Sequence, residues 1–231
     1  MKECAEAGEE PAIQDRGRFA GVSLQLGEGM KISAIKGLGQ VYTSNVYLIT
    51  GDMRGVEDVN TLVDAGNDPS MLPTLADFYA GVGKSPVEQI VLTHSHSDHT
   101  GQLTAIKKIY NPRVLAAAQA VNGVDHVLED GELFQMGDRT FEVIHMPGHS
   151  QDSICLYNAD EAVVFVGDSP VITRSAGGTF EGGFVRALYR LCQKRVKAIY
   201  FGHGEPMMHD AQERLAHSLD NVMKGTVAQR S

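Results

Sequence analysis

Three histidines and one aspartate lie within six residues, in the segment 94–99, which reads His-Ser-His-Ser-Asp-His. An apolar run precedes this segment and predicts a buried strand that ends where the cluster begins. Side chains at positions i and i+2 of an extended segment share a face, so His94 and His96 can bind one metal ion together. Asp98 and His99 come where the chain turns into a predicted helix, so they could face a second ion. Neutral imidazole suits zinc, iron and manganese, and a carboxylate adds hard-oxygen character.

Three further segments repeat this pattern of a predicted strand followed by a turn and a possible metal ligand. His149 follows a Pro-Gly turn, Asp168 follows the apolar run 163–167, and His203 follows the run 199–202. A carboxylate buried without a partner at the position of Asp168 would cost several kcal/mol, so it must be solvated or paired with a cation. Four strand ends of the same kind predict one shared metal site.

Two other residues could support such a site. Asp64 follows a short apolar run and could be either a turn residue or a carboxylate that orients a ligand imidazole. His145 lies near His149 and could orient a ligand or be an ordinary polar residue. We interpret Cys155 and Cys192 as core thiols. The remaining histidines have no comparable context and are predicted to lie on the surface: His126, His209 and His217.

Together, these motifs resemble the metallo-beta-lactamase superfamily, whose characteristic motif is H-x-H-x-D-H. The matching segments, in the family's order between about residues 45 and 206, are LVDAG with Asp64, the motif at 94–99, PGH with His149, GD with Asp168 and GHG with His203. The resemblance implies an α/β (α+β) fold of four layers, an αββα sandwich in which two β-sheets pack face to face with helices outside.

The resemblance also implies a site that holds two divalent metal ions, with zinc expected and iron or manganese as alternatives. The implied ligands are His94, His96 and His149 for the first ion, Asp98, His99 and His203 for the second, and Asp168 as a bridge between them. The implied activity is that of a metal-dependent hydrolase in which a metal-bridged hydroxide cleaves a thioester, ester or lactone. Asp98 or Asp168 would accept or relay a proton as the catalytic residues.

Within the superfamily, the sequence is more similar to the glyoxalase II-like hydrolases than to the true β-lactamases, which lack the bridging aspartate. It departs from glyoxalase II, which continues into a helical domain that binds glutathione, because this sequence ends 28 residues after His203; we therefore expect a substrate other than a glutathione thioester. It also lacks the tyrosine that acyl-homoserine lactonases carry shortly after the bridging aspartate, because residues 169–173 read Ser-Pro-Val-Ile-Thr.

Two alternatives remain open. One is a mononuclear iron oxidoreductase similar to the persulfide dioxygenases of the same superfamily. The flavodiiron members have glutamate at the third position of the motif, whereas this chain has His96, which favours a hydrolytic zinc site. The other alternative is a non-catalytic member that binds metal.

Composition limits the partners. The net charge of -9 and the pI near 5.4 argue against a nucleic-acid partner, because phosphate binding requires clustered Lys and Arg. No apolar stretch approaches ~18 residues, so we predict no membrane span. The polar N-terminus predicts no signal peptide, and three widely spaced cysteines favour a reducing cytoplasm. We therefore expect a cytoplasmic enzyme with a small-molecule substrate.

The predicted organisation is a flexible leader over residues 1–18 and a single domain over 19–231. The predicted strands are 22–26, 31–35, 46–50, 61–63, 89–92, 114–116, 140–145, 154–157, 162–166 and 198–201. The predicted helices are 73–81, 103–110, 184–194 and 211–223. Specificity is expected to come from the loops 37–44 and 173–183. The second loop is either a mobile, glycine-rich lip whose Arg174 could contact a carboxylate or phosphate of the substrate, or a plain flexible surface loop.

Overall fold

The structure is a computed structural model of the 231-residue chain. It describes residues 23–25, 30–39, 41–53, 55–78, 80, 81, 83–119 and 121–228. The predicted leader lies outside these residues, and the domain over 19–231 stays a prediction.

The first sheet has seven strands that follow one another in chain order. They are β1 (Ser23–Gln25), β2 (Lys31–Ile35), β3 (Val46–Thr50), β4 (Thr61–Val63), β5 (Gln89–Leu92), β6 (Arg113–Ala116) and β7 (His126–Val127). Pairing is antiparallel from β1 to β4 and parallel from β4 to β7.

The second sheet has five strands in the order β13-β11-β10-β9-β8. They are β8 (Leu133–Met136), β9 (Arg139–His145), β10 (Ile154–Asn158), β11 (Val163–Gly167) and β13 (Ala198–Phe201). Only β11 and β13 pair in parallel within it, so these two strands end at the same edge. A separate parallel pair is formed by β12 (Thr179–Glu181) and β14 (Thr226–Ala228).

Five α-helices are described: α1 (Leu72–Ala76), α2 (Ser97–Thr100), α3 (Leu103–Tyr110), α4 (Gly182–Cys192) and α5 (Ala211–Met223). A single 3-10 turn, Pro69–Met71, leads into α1. Among the described residues, no helix combines the length and the apolar character that crossing a bilayer requires.

Side-chain alternation along the strands builds the layers. In β3, Tyr47 and Ile49 join the core between the two sheets, whereas Val46 and Leu48 pack against the helices on the outer face. In β10, Leu156 likewise faces the other sheet, and Cys155 faces α4 and α5. Because β3 and β10 are buried on both faces, they appear in the sequence as largely apolar runs. The predicted αββα sandwich is therefore confirmed.

The structure corrects several predicted elements. The helix predicted over 73–81 ends at Ala76, and Gly81 has a φ of 110° that no helix accommodates. The predicted loop 173–183 is partly regular, because it contains β12 and the first two residues of α4. The sequence did not reveal α2, β7, β8, β12 or β14, which are short and carry no clear hydrophobic period.

Candidate metal centre

All four predicted strand ends meet at one edge of the sandwich. His94 and His96 follow β5, His149 lies in the loop between β9 and β10, Asp168 follows β11, and His203 follows β13. Hydrogen bonds join these segments directly: the Ile154 N–H donates to the Thr93 carbonyl at 2.9 Å, and the Gly202 N–H donates to the Gly167 carbonyl at 2.7 Å. The short helix α2 turns the chain so that Asp98 and His99 also face this edge.

The seven predicted ligands form two groups. Within each group, the potential metal-binding atoms all lie within 4.8 Å of one another. The first group contains His94, His96 and His149, and the second contains Asp98, His99, Asp168 and His203. The family resemblance implies the same three histidines for the first ion and Asp98, His99 and His203 for the second, whereas Asp168, the implied bridge, falls in the second group. The geometry places the side chains together; that they bind metal stays a prediction.

Asp168 belongs to the second group but also lies close to the first. Its Oδ2 is 3.6 Å from the Nε2 of His149 in the first group and 3.5 Å from the Nε2 of His203 in the second. Within the groups, the His96 Nδ1 is 3.0 Å from the His149 Nε2, and the Asp98 Oδ2 is 3.0 Å from the His203 Nε2. A carboxylate in this position could contact two ions at once.

The donor atoms fit a metal because they are buried and incompletely satisfied. The Nε2 of His94 has no hydrogen-bond partner among the described residues, and the Nε2 of His99 and the Oδ1 of Asp168 are 3.3 Å apart but form no well-aligned hydrogen bond. Leaving such groups unsatisfied costs about 1–3 kcal/mol each, so their shared direction calls for a ligand. Imidazole nitrogens and carboxylate oxygens are the atoms that zinc and other transition metals bind.

Local electrostatics favour a cation at the same place. Burial lowers the pKa of His99, but the carboxylates of Asp64 and Asp168 outweigh this effect and raise it to about 10. Burial raises the pKa of Asp168, yet the neighbouring imidazoles, His99 foremost, lower it to about 2. The carboxylates thus stabilise a positive charge here. For His94, burial and the nearby His99 lower the pKa to about 4, which keeps its imidazole neutral and able to bind a metal.

Asp64 is a turn residue whose carboxylate also contacts a predicted ligand. It follows β4 in the left-handed region, with a φ of 62°, and its Oδ2 accepts a hydrogen bond from the Nδ1 of His99 at 2.8 Å. Its Oδ1 accepts the Thr93 N–H at 2.8 Å. Because Nδ1 of His99 donates to this carboxylate, its Nε2 is the atom that faces the centre.

His145 does not contact any of the predicted ligands. The Nε2 of its exposed imidazole lies 2.8 Å from the carbonyl oxygen of Gln151. This contact stabilises the loop that carries His149. His126 is partly buried and forms a 2.6 Å ion pair with Glu132, whereas His209 and His217 are exposed as predicted. Cys155 is buried in the core, also as predicted.

Several supporting residues were missed by the sequence analysis. The Asn45 side chain donates to the carbonyls of Phe201 and Gly204, and the Tyr47 hydroxyl donates to that of Phe201, so these two residues hold the turn that carries His203. The Asp152 carboxylate accepts hydrogen bonds from Ser150 and Ser95 and thereby joins the His149 loop to the segment 94–99. These contacts join distant parts of the chain, and no local motif indicates them.

An open cleft of about 280 Å³ lies over the centre. Its lining consists of His149, Gly167, Asp168, Ser169, Phe201 and His203. The exposed Arg174 is not among the lining residues, so its predicted contact with substrate stays a prediction. Tyr42, from the other predicted specificity loop, borders the cleft, because its ring stacks on that of His203 with centroids 5.0 Å apart.

Replacing Gly202 with alanine is expected to damage the centre. A Cβ atom there would overlap the Asp168 Oδ1 and lie 2.7 Å from Cε1 of His99, so both side chains must shift. We expect metal affinity to fall about 10–100-fold, as it does when ligand support is lost. Metal titration of the purified variant measures this effect. The control is Gly55→Ala, where the nearest atom would lie 3.3 Å from the new Cβ and no change in metal binding is expected.

Comparison with known proteins agrees with this geometry. The family model of the metallo-beta-lactamase superfamily matches residues 39–170. The chain therefore belongs to the metallo-beta-lactamase superfamily. A solved archaeal member from Sulfolobus tokodaii superposes with a TM-score of 0.58 at 19% identity, covering 87% of this chain and 89% of that one, which supports the shared fold.

Among curated proteins, the relatives include glyoxalase II enzymes, that is, hydroxyacylglutathione hydrolases. A probable hydroxyacylglutathione hydrolase of Schizosaccharomyces pombe is 30% identical over 158 residues, which cover 68% of this chain and 59% of that protein. An atrochrysone carboxyl ACP thioesterase of Cryptosporiopsis sp. is 25% identical over 181 residues, covering 76% of this chain and 53% of that protein. The chain thus spans less than two thirds of the length of these relatives.

Proposed function

We propose that this protein is a dinuclear metal-dependent hydrolase that cleaves a thioester, with an ester or a lactone as the alternative substrate. The observation that carries the proposal is the position of Asp168, whose Oδ2 lies about equally far from a histidine of each ligand group. Two relatives, one named as a probable hydroxyacylglutathione hydrolase and the other as an ACP thioesterase, support the substrate class.

In this proposal, His94, His96 and His149 hold the first ion, and Asp98, His99 and His203 hold the second. Asp168 contacts both ions. Zinc is the proposed metal, with iron or manganese as alternatives, because every donor is an imidazole nitrogen or a carboxylate oxygen. Two bound cations would polarise a carbonyl and lower the pKa of a water molecule from about 15.7 towards about 7.

Other residues of the chain would orient the ligands and accept the proton. Asp64 fixes the orientation of His99, and Asn45 and Asp152 hold the loops on which His203 and His149 lie. Asp98 and Asp168 lie within reach of the cleft, and either carboxylate could accept the proton of the attacking water. Because the cleft is open and small, it suits a small-molecule substrate.

The test is metal quantification on purified protein together with a panel of thioester, ester, lactone and β-lactam substrates. We expect about two ions per chain and hydrolysis of thioesters, with activity lost on chelation and restored by added zinc. Iron alone, with oxygen consumed on a persulfide, would instead support the oxidoreductase. A fully metallated protein that hydrolyses nothing on the panel would support a non-catalytic member.

A further inference from the structure

Tyr42 places a hydroxyl group beside the metal centre. Its ring lies nearly parallel to that of His203, at an interplanar angle of 22°, and its hydroxyl oxygen is 3.3 Å from the His203 Nε2. The residue is nevertheless 73% exposed, so a substrate in the cleft could reach it. By contrast, the hydroxyl-bearing residue within the cleft lining, Ser169, is only 4% exposed.

Metal binding would free the Tyr42 hydroxyl for another acceptor. In the proposed function, the Nε2 of His203 gives its lone pair to the second ion, and a nitrogen that ligates a metal cannot also accept a hydrogen bond. The hydroxyl would then keep its donor proton next to the reaction centre. An oxygen atom of the substrate is then the acceptor available to this proton.

The loop that carries Tyr42 is anchored on both sides of it. The Leu38 N–H donates to the Ser70 hydroxyl at 2.6 Å, and the Gly39 N–H donates to the Asp68 carboxylate at 2.9 Å. On the other side, the Thr43 hydroxyl accepts the Asn67 N–H at 2.7 Å. Gly39 is needed for this close approach, because a Cβ there would lie 2.7 Å from the Asp68 carboxylate oxygens. A donor on an anchored loop requires little reorganisation during the reaction.

We propose that Tyr42 is a catalytic residue that donates a hydrogen bond to the carbonyl oxygen of the substrate as it becomes an oxyanion. This proposal rests on the hydrolase proposed above. Hydroxide forms a bond to the carbonyl carbon, and the carbonyl π electrons move to the oxygen that Tyr42 faces. When the carbonyl re-forms, the C–S bond breaks and the thiolate leaves with that electron pair. Tyr42 keeps its proton throughout.

The test compares Tyr42→Phe with the wild-type holoenzyme. Phenylalanine retains the ring that covers His203 and removes only the donor. We expect kcat to fall about 100-fold, as it does when one oxyanion donor is removed, while KM and metal content stay within about twofold. The matched control is Tyr189→Phe on α4, an exposed tyrosine that is not among the residues of the centre, and it should leave kcat unchanged.

A binding measurement gives a readout that does not depend on turnover. An acyl phosphonate imitates the tetrahedral oxyanion, whereas a thioether analogue lacks the carbonyl oxygen altogether. Tyr42→Phe should weaken phosphonate binding by about the same factor as kcat and leave thioether binding unchanged.

If the wild type is active and Tyr42→Phe has the same kcat and the same phosphonate affinity, the role proposed for Tyr42 is wrong. The hydrolase proposal would remain intact. A metallated wild type that cleaves no thioester, ester or lactone would instead overturn the hydrolase proposal itself.

Discussion

Replacing Asp168 with alanine is expected to lower the bound metal from two ions to about one per chain and to reduce kcat/KM about a thousandfold. The reason is the location of this carboxylate between the two ligand groups, 3.6 Å from the His149 Nε2 and 3.5 Å from the His203 Nε2. Without Asp168, the second group keeps three potential ligands but loses the carboxylate oxygen that lies close to both groups. Losing about 4 kcal/mol of transition-state stabilisation corresponds to the stated factor.

The fold should survive this substitution. Asp168 lies after β11 and contributes nothing to the hydrophobic clusters of the sandwich. Metal analysis, thioester hydrolysis and thermal unfolding should therefore separate a lost ion from a lost fold. Asp160→Ala, an exposed carboxylate in the turn between β10 and β11, is the control and should behave as the wild type. A fully active Asp168→Ala variant with two ions would rule out the bridge.

Replacing Asp64 with asparagine is expected to weaken binding of the second ion about 10–100-fold with little change in the fold. Asparagine has the same shape and tolerates the φ of 62° at this position. Its oxygen can still accept the Thr93 N–H, which leaves its amide NH₂ group facing the Nδ1 of His99. An NH₂ group cannot accept a hydrogen bond, so His99 would move its proton to Nε2 and lose the lone pair that faces the centre.

The control for this prediction is Asp125→Asn. Asp125 also accepts a backbone N–H, from Val114 at 2.9 Å, and a side-chain donor, Lys107, but it is not part of the centre. We expect this variant to keep its full metal affinity. Competition titrations with a chromogenic chelator measure both variants. Unchanged affinity for both ions in Asp64→Asn would show that the Asp64 carboxylate does not orient His99 for metal binding.

The strands and the seven clustered residues could be predicted because one physical pattern encodes both. A strand buried on both faces must be apolar along its whole length, and its end is where polar side chains become possible. Asp168 and His203 each follow such a run, and His149 follows a Pro-Gly turn after the half-buried strand β9, so the sequence indicated that they converge. The bounds of β3 and β5 were predicted to the residue for the same reason.

The supporting contacts could not be predicted, because they depend on how distant segments pack. Tyr42 and His203 are separated by 161 positions, and Asn45 and Gly204 by 159. Their residue types are ordinary for loops. The role of His145, which the sequence left open, also depends on packing, since its imidazole contacts the Gln151 carbonyl and not a predicted ligand.

Short elements were the other weakness. The segment 179–181 forms a strand only because 226–228 pairs with it, and neither segment has a hydrophobic period of its own. The predicted helix over 73–81 began correctly near Pro73 but lacked a signal for its early end at Ala76. Predictions about the leader, the reducing compartment and the absence of a nucleic-acid partner rest on composition alone.

The most direct measurement is anomalous diffraction at the zinc edge from crystals grown with zinc. We expect two strong peaks, one surrounded by His94, His96 and His149, the other by Asp98, His99 and His203, with Asp168 next to both. A single peak held by two histidines and one carboxylate, or no peak among these side chains, would contradict this prediction.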